Sequence, residues 1–375
     1  MSMKTLRTYI QTIMIISLLC VYMPESFANG ERVGEAGASE LLINPWARSS
    51  GWAGANIAGI NGIESVYSNV AGLAFTGSTE LVFVQTSWLQ YGNDMFNADE
   101  AVSSISSFGI AQRIGESSTL GFAIMSMDFG DIEITTVDNP EGGLGTFAPR
   151  FMNMALSYAQ SFSNSIYGGI TVKIISEQIS NLSANGVALD AGIQYVTGKK
   201  DNVKFGVALK NIGPKMSFKG DGLSFEGQAP GTNVNDGDGY KLTINQRTAG
   251  FELPALLQIG FTYELDLNRR HKFTNAATFT SNSFQKDQYR LGCEYSYNEM
   301  LMVRAGYTYE EGIQYSQEYA DANNKDSYRT TALRGPSAGI TFELPMGEST
   351  FGLDYSYRHT DPFNGSHSIG ARIDL

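Results

Sequence analysis

From about residue 79 to the end of the chain, apolar and polar positions alternate with a period of two. In 151–160, Met152, Met154, Leu156 and Tyr158 share one face, and Asn153, Ala155, Ser157 and Ala159 share the other. Gly168, Ile170, Val172 and Ile174 oppose Tyr167, Gly169, Thr171 and Lys173, and Val187, Leu189, Ala191, Ile193 and Tyr195 oppose Ala188, Asp190, Gly192 and Gln194. The C-terminal half repeats the scheme, with Leu301, Val303, Ala305, Tyr307 and Tyr309 set against Met302, Arg304, Gly306 and Thr308. Successive side chains of a β-strand point to opposite sides, so this periodicity predicts strands. The charges fall on the face that lacks the aliphatics. A charge facing lipid costs about 2–4 kcal/mol near the midplane, so this sorting is the one expected where one face meets a membrane. Tyrosines gather near the strand ends, as interfacial girdles do. A soluble sandwich also alternates, but its strands centre on about five or six residues rather than ten.

The pattern predicts strands at roughly 79–90, 103–114, 118–128, 150–162, 166–177, 186–197, 203–211, 254–265, 271–281, 286–297, 300–309, 334–344, 350–358 and 366–375. These make an all-β, 14-stranded antiparallel transmembrane β-barrel over 79–375. The connections after even-numbered strands are short. Those after odd-numbered strands include the long ones, 91–102, 129–149, 212–253 and 310–333. Barrels of the outer membrane have short periplasmic turns and long outer loops, which places both termini in the periplasm and the protein in the bacterial outer membrane. Gly370, Ile373 and Leu375 stand where a barrel-assembly signal has glycine and hydrophobic residues, with Leu375 in place of the usual final aromatic.

The first 28 residues read as a signal peptide: Lys4 and Arg7, an apolar run from Ile10 to Met23, then Ser26-Phe27-Ala28 before the cleavage point. Lipidation at Cys20 is a rival, but Leu18-Leu19 fits it poorly. Beyond residue 29 no apolar run approaches the ~18 residues of a membrane-spanning helix. Cleavage removes Lys4, Arg7 and Glu25 and turns the net charge from -12 to -13. That acidity excludes a nucleic-acid binder, which needs a basic face for phosphates. Charged residues are only 17% of the chain, with 41 glycines and 11% aromatics, which suits a barrel with an apolar exterior. Cys293 is the single cysteine after the leader, so a disulfide or multi-cysteine zinc site is excluded, and His271, His359 and His367 follow no metal-ligand spacing.

Motifs for chemistry are weak. Asp128-Phe129-Gly130 lacks the rest of a kinase signature and reads as a turn. Asn233–Gly239 resembles a calcium loop but lacks its closing glutamate, so a solvated turn is favoured. Gly142–Gly145 precedes no helix and is a loop rather than a phosphate cradle. No serine is placed beside a histidine, so no catalytic residue, cofactor or metal is expected. Lys173, Asp190, Arg290, Glu294, Arg304, Asp354, Arg358 and Arg372 either line a channel or pair with one another to fill the lumen; pairing is the simpler reading.

Residues 29–78 do not alternate. They are rich in Gly, Ala, Ser and Asn, small and sparsely charged, and read as a periplasmic tail or, preferably, as a lumenal plug. Two stretches of this region, Leu41 to Gly51 (LLINPWARSSG) and Asn69 to Ala74 (NVAGLA), together with Lys210 to Met216 (KNIGPKM), resemble the PorV/PorQ family of the type IX secretion system. The family commonly has Asn-Pro-Ala-Gly-Leu at the second motif, where this chain has Asn69-Val70-Ala71. The resemblance implies a fold similar to the FadL long-chain fatty-acid transporters, with an N-terminal lumenal hatch that would include Asn44, Pro45, Arg48, Asn69 and Gly72. It implies a non-enzymatic shuttle that binds the C-terminal sorting domain of secreted cargo, receives it at a SprA-like translocon and hands it to a surface sortase complex. Cargo would meet the long loops, where Tyr309, Tyr315, Tyr319, Tyr328 and Phe147 are candidate contacts. The alternatives are a FadL-type transporter of hydrophobic small molecules, which needs a greasy lumen, and a structural scaffold of the secretion machinery.

Overall fold

A computed structural model describes residues 35–88, 103–228, 241–311, 331, 333–360, 363 and 365–375. The strands among them are β1 (Thr79–Ser87), β2 (Ser104–Ile114), β3 (Ser118–Asp128), β4 (Ile132–Glu133), β5 (Thr146–Phe147), β6 (Arg150–Ser161), β7 (Ile166–Ile179), β8 (Leu182–Thr197), β9 (Val203–Ile212), β10 (Ser224–Gln228), β11 (Lys241–Asn245), β12 (Leu256–Asp266), β13 (His271–Asn282), β14 (Gln288–Tyr297), β15 (Leu301–Glu310), β16 (Leu333–Met346), β17 (Ser349–Thr360) and β18 (Ser366–Asp374). Fourteen of these close into one antiparallel barrel, and β4–β5 and β10–β11 are separate hairpins within two long loops. The seam is β1 against β18, in register from Glu80↔Asp374 to Ser87↔His367. Closure matters because an open sheet edge in lipid would leave a row of unpaired backbone groups.

The barrel is inside-out relative to a soluble protein. Ile170 is 58% exposed and Ile369 63%, while Lys173 and Arg304 are each 1% exposed. The alternation read from the sequence therefore sends aliphatic residues outward and small or polar ones inward. Tyrosines of the outer face lie at two heights. Tyr158, Tyr195, Tyr295 and Tyr297 are near the short turns, and Tyr289, Tyr307 and Tyr309 are near the long loops. Two such levels match the two interfaces of a bilayer.

Two expectations need correction. The connection between β7 and β8 is a two-residue turn, Ser180-Asn181, because both strands run several residues beyond the apolar stretch that marked them. Ladder hydrogen bonds continue past the lipid-facing band, where periodicity no longer reports them. The second correction concerns the N-terminal side. Ala36 forms a parallel bridge with Glu252, and Gly37 N–H donates to Glu252 O at 3.1 Å, in the loop between β9 and β12. The described segment thus begins at the long-loop mouth, descends inside the barrel, borders the short-turn end from Asn56 to Glu64, where Ile63 N–H donates to Glu80 Oε2 at 2.8 Å, and enters β1 there. Strand parity locates the ends of β1 and β18 at that end, but it carries no information on a segment lying within the lumen.

Residues 35–78 form 3-10 turns at Ser39–Leu42, Ile63–Tyr67 and Val70–Phe75 and one short helix, α1 (Ala47–Gly51). Trp46, Ile63, Tyr67 and Leu73 are buried among Val82, Val84, Ile105, Ala123 and Ala155 of the barrel wall. Inward glycines of the wall make room for them. A Cβ on Gly109 would lie 2.6 Å from Ile63, one on Gly121 2.9 Å from Leu73, and one on Gly292 2.6 Å from Trp52. The glycines opposite the aliphatic face are positions of close approach, as at any site where another element packs onto a strand.

Candidate functional site

The polar inner segment and the wall around it form the site, beginning at the long-loop end. The Asn44 side chain accepts from Trp46 N–H at 3.1 Å, closing a turn that leads into α1. Pro45 supplies a fixed φ just before the helix. Both residues are buried or half-buried. Arg48 on α1 is coupled electrostatically to Glu64 and, more weakly, to Asp354, Glu294 and Glu343. Burial works against the guanidinium's charge, but these carboxylates more than offset it and hold Arg48 above its ordinary value. The Glu64 carboxyl is pushed up to about 7 by burial, with Arg48 pulling it down and Asp354 raising it. Glu64 also accepts from the Ser49 hydroxyl at 3.4 Å.

Asn69 is wholly buried and joins three elements. Its Oδ1 accepts from Ala71 N–H at 3.3 Å and caps the turn Val70–Phe75, and its Nδ2 donates to Ile57 O and Ile193 O, both at 3.1 Å. The last bond ties the segment to β8. Gly192 and Gly206 face this amide, and a Cβ on Gly206 would lie 2.9 Å from Asn69 Nδ2. Gly72 accepts from Gly62 N–H at 3.0 Å, and a Cβ on it would collide with the Ile60 carbonyl oxygen.

The third motif builds a polar knot. Between Leu189↔Ile212 and Ala191↔Leu209 the register shifts, so Lys210 and Asn211 on β9 oppose Asp190 alone on β8. This is a β-bulge, and it turns two consecutive side chains inward. Asn211 adopts φ 61°, a left-handed conformation that Asn tolerates better than most residues. Asn211 N–H donates to Asp190 Oδ1 at 2.8 Å, and its Nδ2 donates to Pro254 O at 3.0 Å. Lys173 Nζ is 2.5 Å from Asp190 Oδ2 and donates to Asn211 Oδ1 at 2.9 Å. Lys210 Nζ donates to Tyr67 O at 2.6 Å, and Tyr67 OH donates to Asn153 O at 3.1 Å. The motif thus fastens the inner segment to β6, β7, β8 and β9.

The remaining lumen charges also have partners within the wall. Arg304 pairs with Glu294 at 2.7 Å and stands 4.0 Å from Asp354, and Arg372 pairs with Glu343 and, at 3.2 Å, with Asp374. Arg290 donates to Gln288 Oε1 at 2.7 Å, and Arg358 to Thr308 Oγ1 at 3.4 Å. Toward the short-turn end a cavity of about 440 Å3 is bounded by both the segment and the wall. At the other end a cavity of about 10 Å3 lies beside Asn44 and Pro45. Among the described residues no group of three His, Cys, Asp or Glu is arranged to hold a metal ion.

The loop candidates are scattered. Tyr309 sits on the outer face of β15, near the Tyr289 ring at 6.5 Å, where a girdle residue would be. Phe147 is half-buried in the β4–β5 hairpin, opposite Ile132. Tyr315, Tyr319 and Tyr328 lie outside the described residues, as do Asn233–Gly239 and residues 1–28, where the signal peptide is expected. Asp128-Phe129-Gly130 is a turn, in which Gly130 N–H donates to Asp128 Oδ1 at 2.9 Å. Sequence reasoning missed Trp46, Glu64 and Tyr67, each buried inside the barrel. An aromatic and a carboxylate in a segment too small and irregular to form its own core were the available signal.

No family model matches the chain, and no curated protein matches it. Solved structures do. The CymD monoaromatic hydrocarbon channel superposes with a TM-score of 0.52 at 12% identity, over 88% of this chain and 97% of that one. The Pseudomonas putida toluene transporter TodX gives 0.51 at 13% identity, over 88% and 97%. A Pseudomonas aeruginosa FadL homologue gives 0.48 at 13% identity, over 87% and 96%. The fold is therefore that of the FadL-like fourteen-stranded barrels.

Proposed function

We propose that this chain is a non-enzymatic barrel of the bacterial outer membrane that serves type IX protein secretion. In this reading it binds the C-terminal sorting domain of cargo at its long loops, receives cargo from a SprA-like translocon and delivers it to the surface sortase complex. Residues 35–78 act as a lumenal hatch, and outer-membrane lipid surrounds the wall. The observation that carries the reading is the lumen, occupied by the chain's own segment and lined by paired charges such as Lys173–Asp190 and Arg304–Glu294. Such an interior suits a barrel that works through its loops. The motifs Leu41–Gly51, Asn69–Ala74 and Lys210–Met216 add the resemblance to PorV/PorQ proteins, and they are the stretches that hold segment and wall together.

A second reading, a FadL-type transporter of hydrophobic small molecules, draws its weight from the comparisons, whose matched structures are named as hydrocarbon channels. They favour it over the secretion role, for which they offer nothing specific. Against it stand the paired charges Lys173–Asp190 and Arg304–Glu294 facing the lumen. The cavity beside Asn44 and Pro45 has the volume of one water. Affinity capture of the tagged protein from native outer membranes in mild detergent, followed by mass spectrometry, separates the two. The secretion reading expects a giant translocon barrel or proteins sharing a C-terminal sorting domain. Recovery of the barrel alone with bound apolar solute would overturn it in favour of the transporter.

A further inference from the structure

The guanidiniums inside the barrel are matched to carboxylates, and Arg358 departs from that scheme. Arg304 takes Glu294, Arg372 takes Glu343 and Asp374, and Glu310 acts on Arg290. Arg358 forms no ion pair among the described residues. It donates to Thr308 Oγ1 at 3.4 Å, and the charge that acts on it is a like one, Arg290. Thr308 is the cross-strand neighbour of Arg290, so both guanidiniums converge on one part of the wall, close to the long-loop ends of β14 and β17. A charge withdrawn from bulk water is costly unless a counter-charge accompanies it.

Arg358 also lines the cavity of about 10 Å3 at the long-loop end, which has room for one water-sized particle. This space lies between the two bodies of the protein. Asn44 and Ser50 come from the inner segment, and Thr86, Arg358, Ser366 and Ser368 from the wall. No carboxylate lines it among the described residues. Three of its polar groups have hydrogens left to donate. Asn44 Oδ1 is taken by Trp46 N–H, which leaves the Asn44 Nδ2 hydrogens. Ser368 Oγ accepts from the Thr86 hydroxyl at 2.8 Å, which leaves the Ser368 hydrogen. The guanidinium of Arg358 has donors only. A water here would leave the charge of Arg358 unbalanced, whereas a monatomic anion balances it and accepts from every side.

We propose that this cavity holds a chloride ion, clamped between the inner segment and the wall. Arg358 supplies the opposing charge, Asn44 Nδ2 and the Ser368 hydroxyl supply neutral donors, and Arg290 adds to the field. A space for one water excludes larger oxyanions such as sulfate. Because the ion touches both bodies, it helps to seat the segment at its long-loop end. The site holds under either functional reading.

The test is chloride nuclear magnetic resonance of the purified protein in detergent micelles, with sodium chloride titrated into gluconate buffer. The protein should broaden the chloride line saturably beyond empty micelles. Bromide should compete, and sulfate at equal ionic strength should not. Asn44→Asp is nearly isosteric, keeps an acceptor for Trp46 N–H and puts a fixed carboxylate into the cavity that Arg358 lines. It should fold normally and lower chloride affinity about tenfold or more by taking the ion's place. Arg358→Gln removes the charge and should abolish the saturable broadening. In a urea titration, exchanging chloride for gluconate should lower the unfolding midpoint of the unmodified protein and leave that of Asn44→Asp unchanged, which separates a bound ion from a general salt effect. Absence of saturable broadening, competition by sulfate as strong as by bromide, or chloride affinity unaltered in Asn44→Asp overturns the proposal.

Discussion

At the scale of single residues the lumen behaves as a low-dielectric interior whose charges depend on their partners. Lys173 and Asp190 are both buried and form one pair, with Asn211 bridging them. Removing one member leaves the other desolvated and uncompensated, which costs about 3–5 kcal/mol, whereas replacing both with apolar residues of similar size is often nearly neutral. Lys173→Met should therefore lower the unfolding free energy of the micelle-bound barrel by that order in a urea titration. The double variant Lys173→Met/Asp190→Leu should recover most of the loss. A double-variant loss equal to the sum of the losses of Lys173→Met and Asp190→Leu alone would show that the pair is not coupled. Gly72 makes a steric argument of the same kind. Because a Cβ there meets backbone, the Ile60 oxygen, Gly72→Ala should cost about 1–3 kcal/mol, and Gly77→Ala, where a Cβ meets nothing within 4 Å and φ is not positive, should not. The same titration compares the two.

At the scale of elements, the inner segment is held at its long-loop end by a contact that depends on protons. Burial, reinforced by Glu177, pushes the Glu40 carboxyl up to about 8. A carboxyl whose folded value lies above its unfolded one binds its proton more tightly in the docked state. Docking is therefore strongest below the unfolded value of 4.5 and weakens as pH rises from there through about 8. Amide exchange at Gly37 and Leu41 should accelerate between pH 6 and pH 9 beyond the intrinsic change in rate, and Glu40→Gln should abolish the excess. An unchanged excess in that variant would exonerate Glu40. The elements differed in how readable they were. Strands of the wall were legible because lipid outside and packed residues inside impose a period of two on every turn of chain, as with Met152 to Tyr158. The path of residues 35–78 was legible only as an absence of that period. Nothing local encodes that Asn69 reaches Ile193 or that Lys210 reaches Tyr67, since those bonds join residues more than a hundred positions apart. The bulge at Lys210-Asn211 stood out as a motif, but its geometry came from a register shift that alternation alone cannot specify.

At the scale of the whole molecule, the question is whether the lumen is a passage. Fourteen strands enclose a space wide enough for an aqueous channel if it were empty, since barrels of eight strands are already filled by side chains and those of sixteen hold open pores. Here the space is taken up by residues 35–78, fastened by Asn69 to β8, by Tyr67 to β6 and β9, and by Ser337 on β16, whose hydroxyl donates to Gly51 O at 3.0 Å. These ties reach different parts of the wall, so thermal loosening of any one leaves the others in place. The intact protein in a planar lipid bilayer should accordingly show no steady conductance above the bare membrane. Deleting 38–74 while keeping residues 1–37 and β1 would uncover a lumen lined by Lys173, Asp190, Gln194, Arg304 and Arg372, with inward glycines such as Gly109 and Gly292 widening it. That variant should open discrete ion-conducting channels. Barrel formation is checked separately by the heat-dependent shift in gel mobility of a folded barrel, so an unfolded variant is not mistaken for a closed one. Steady conductance through the intact protein would mean that the segment leaves a continuous aqueous path, and the lumen would then have to be reconsidered as a route for solutes.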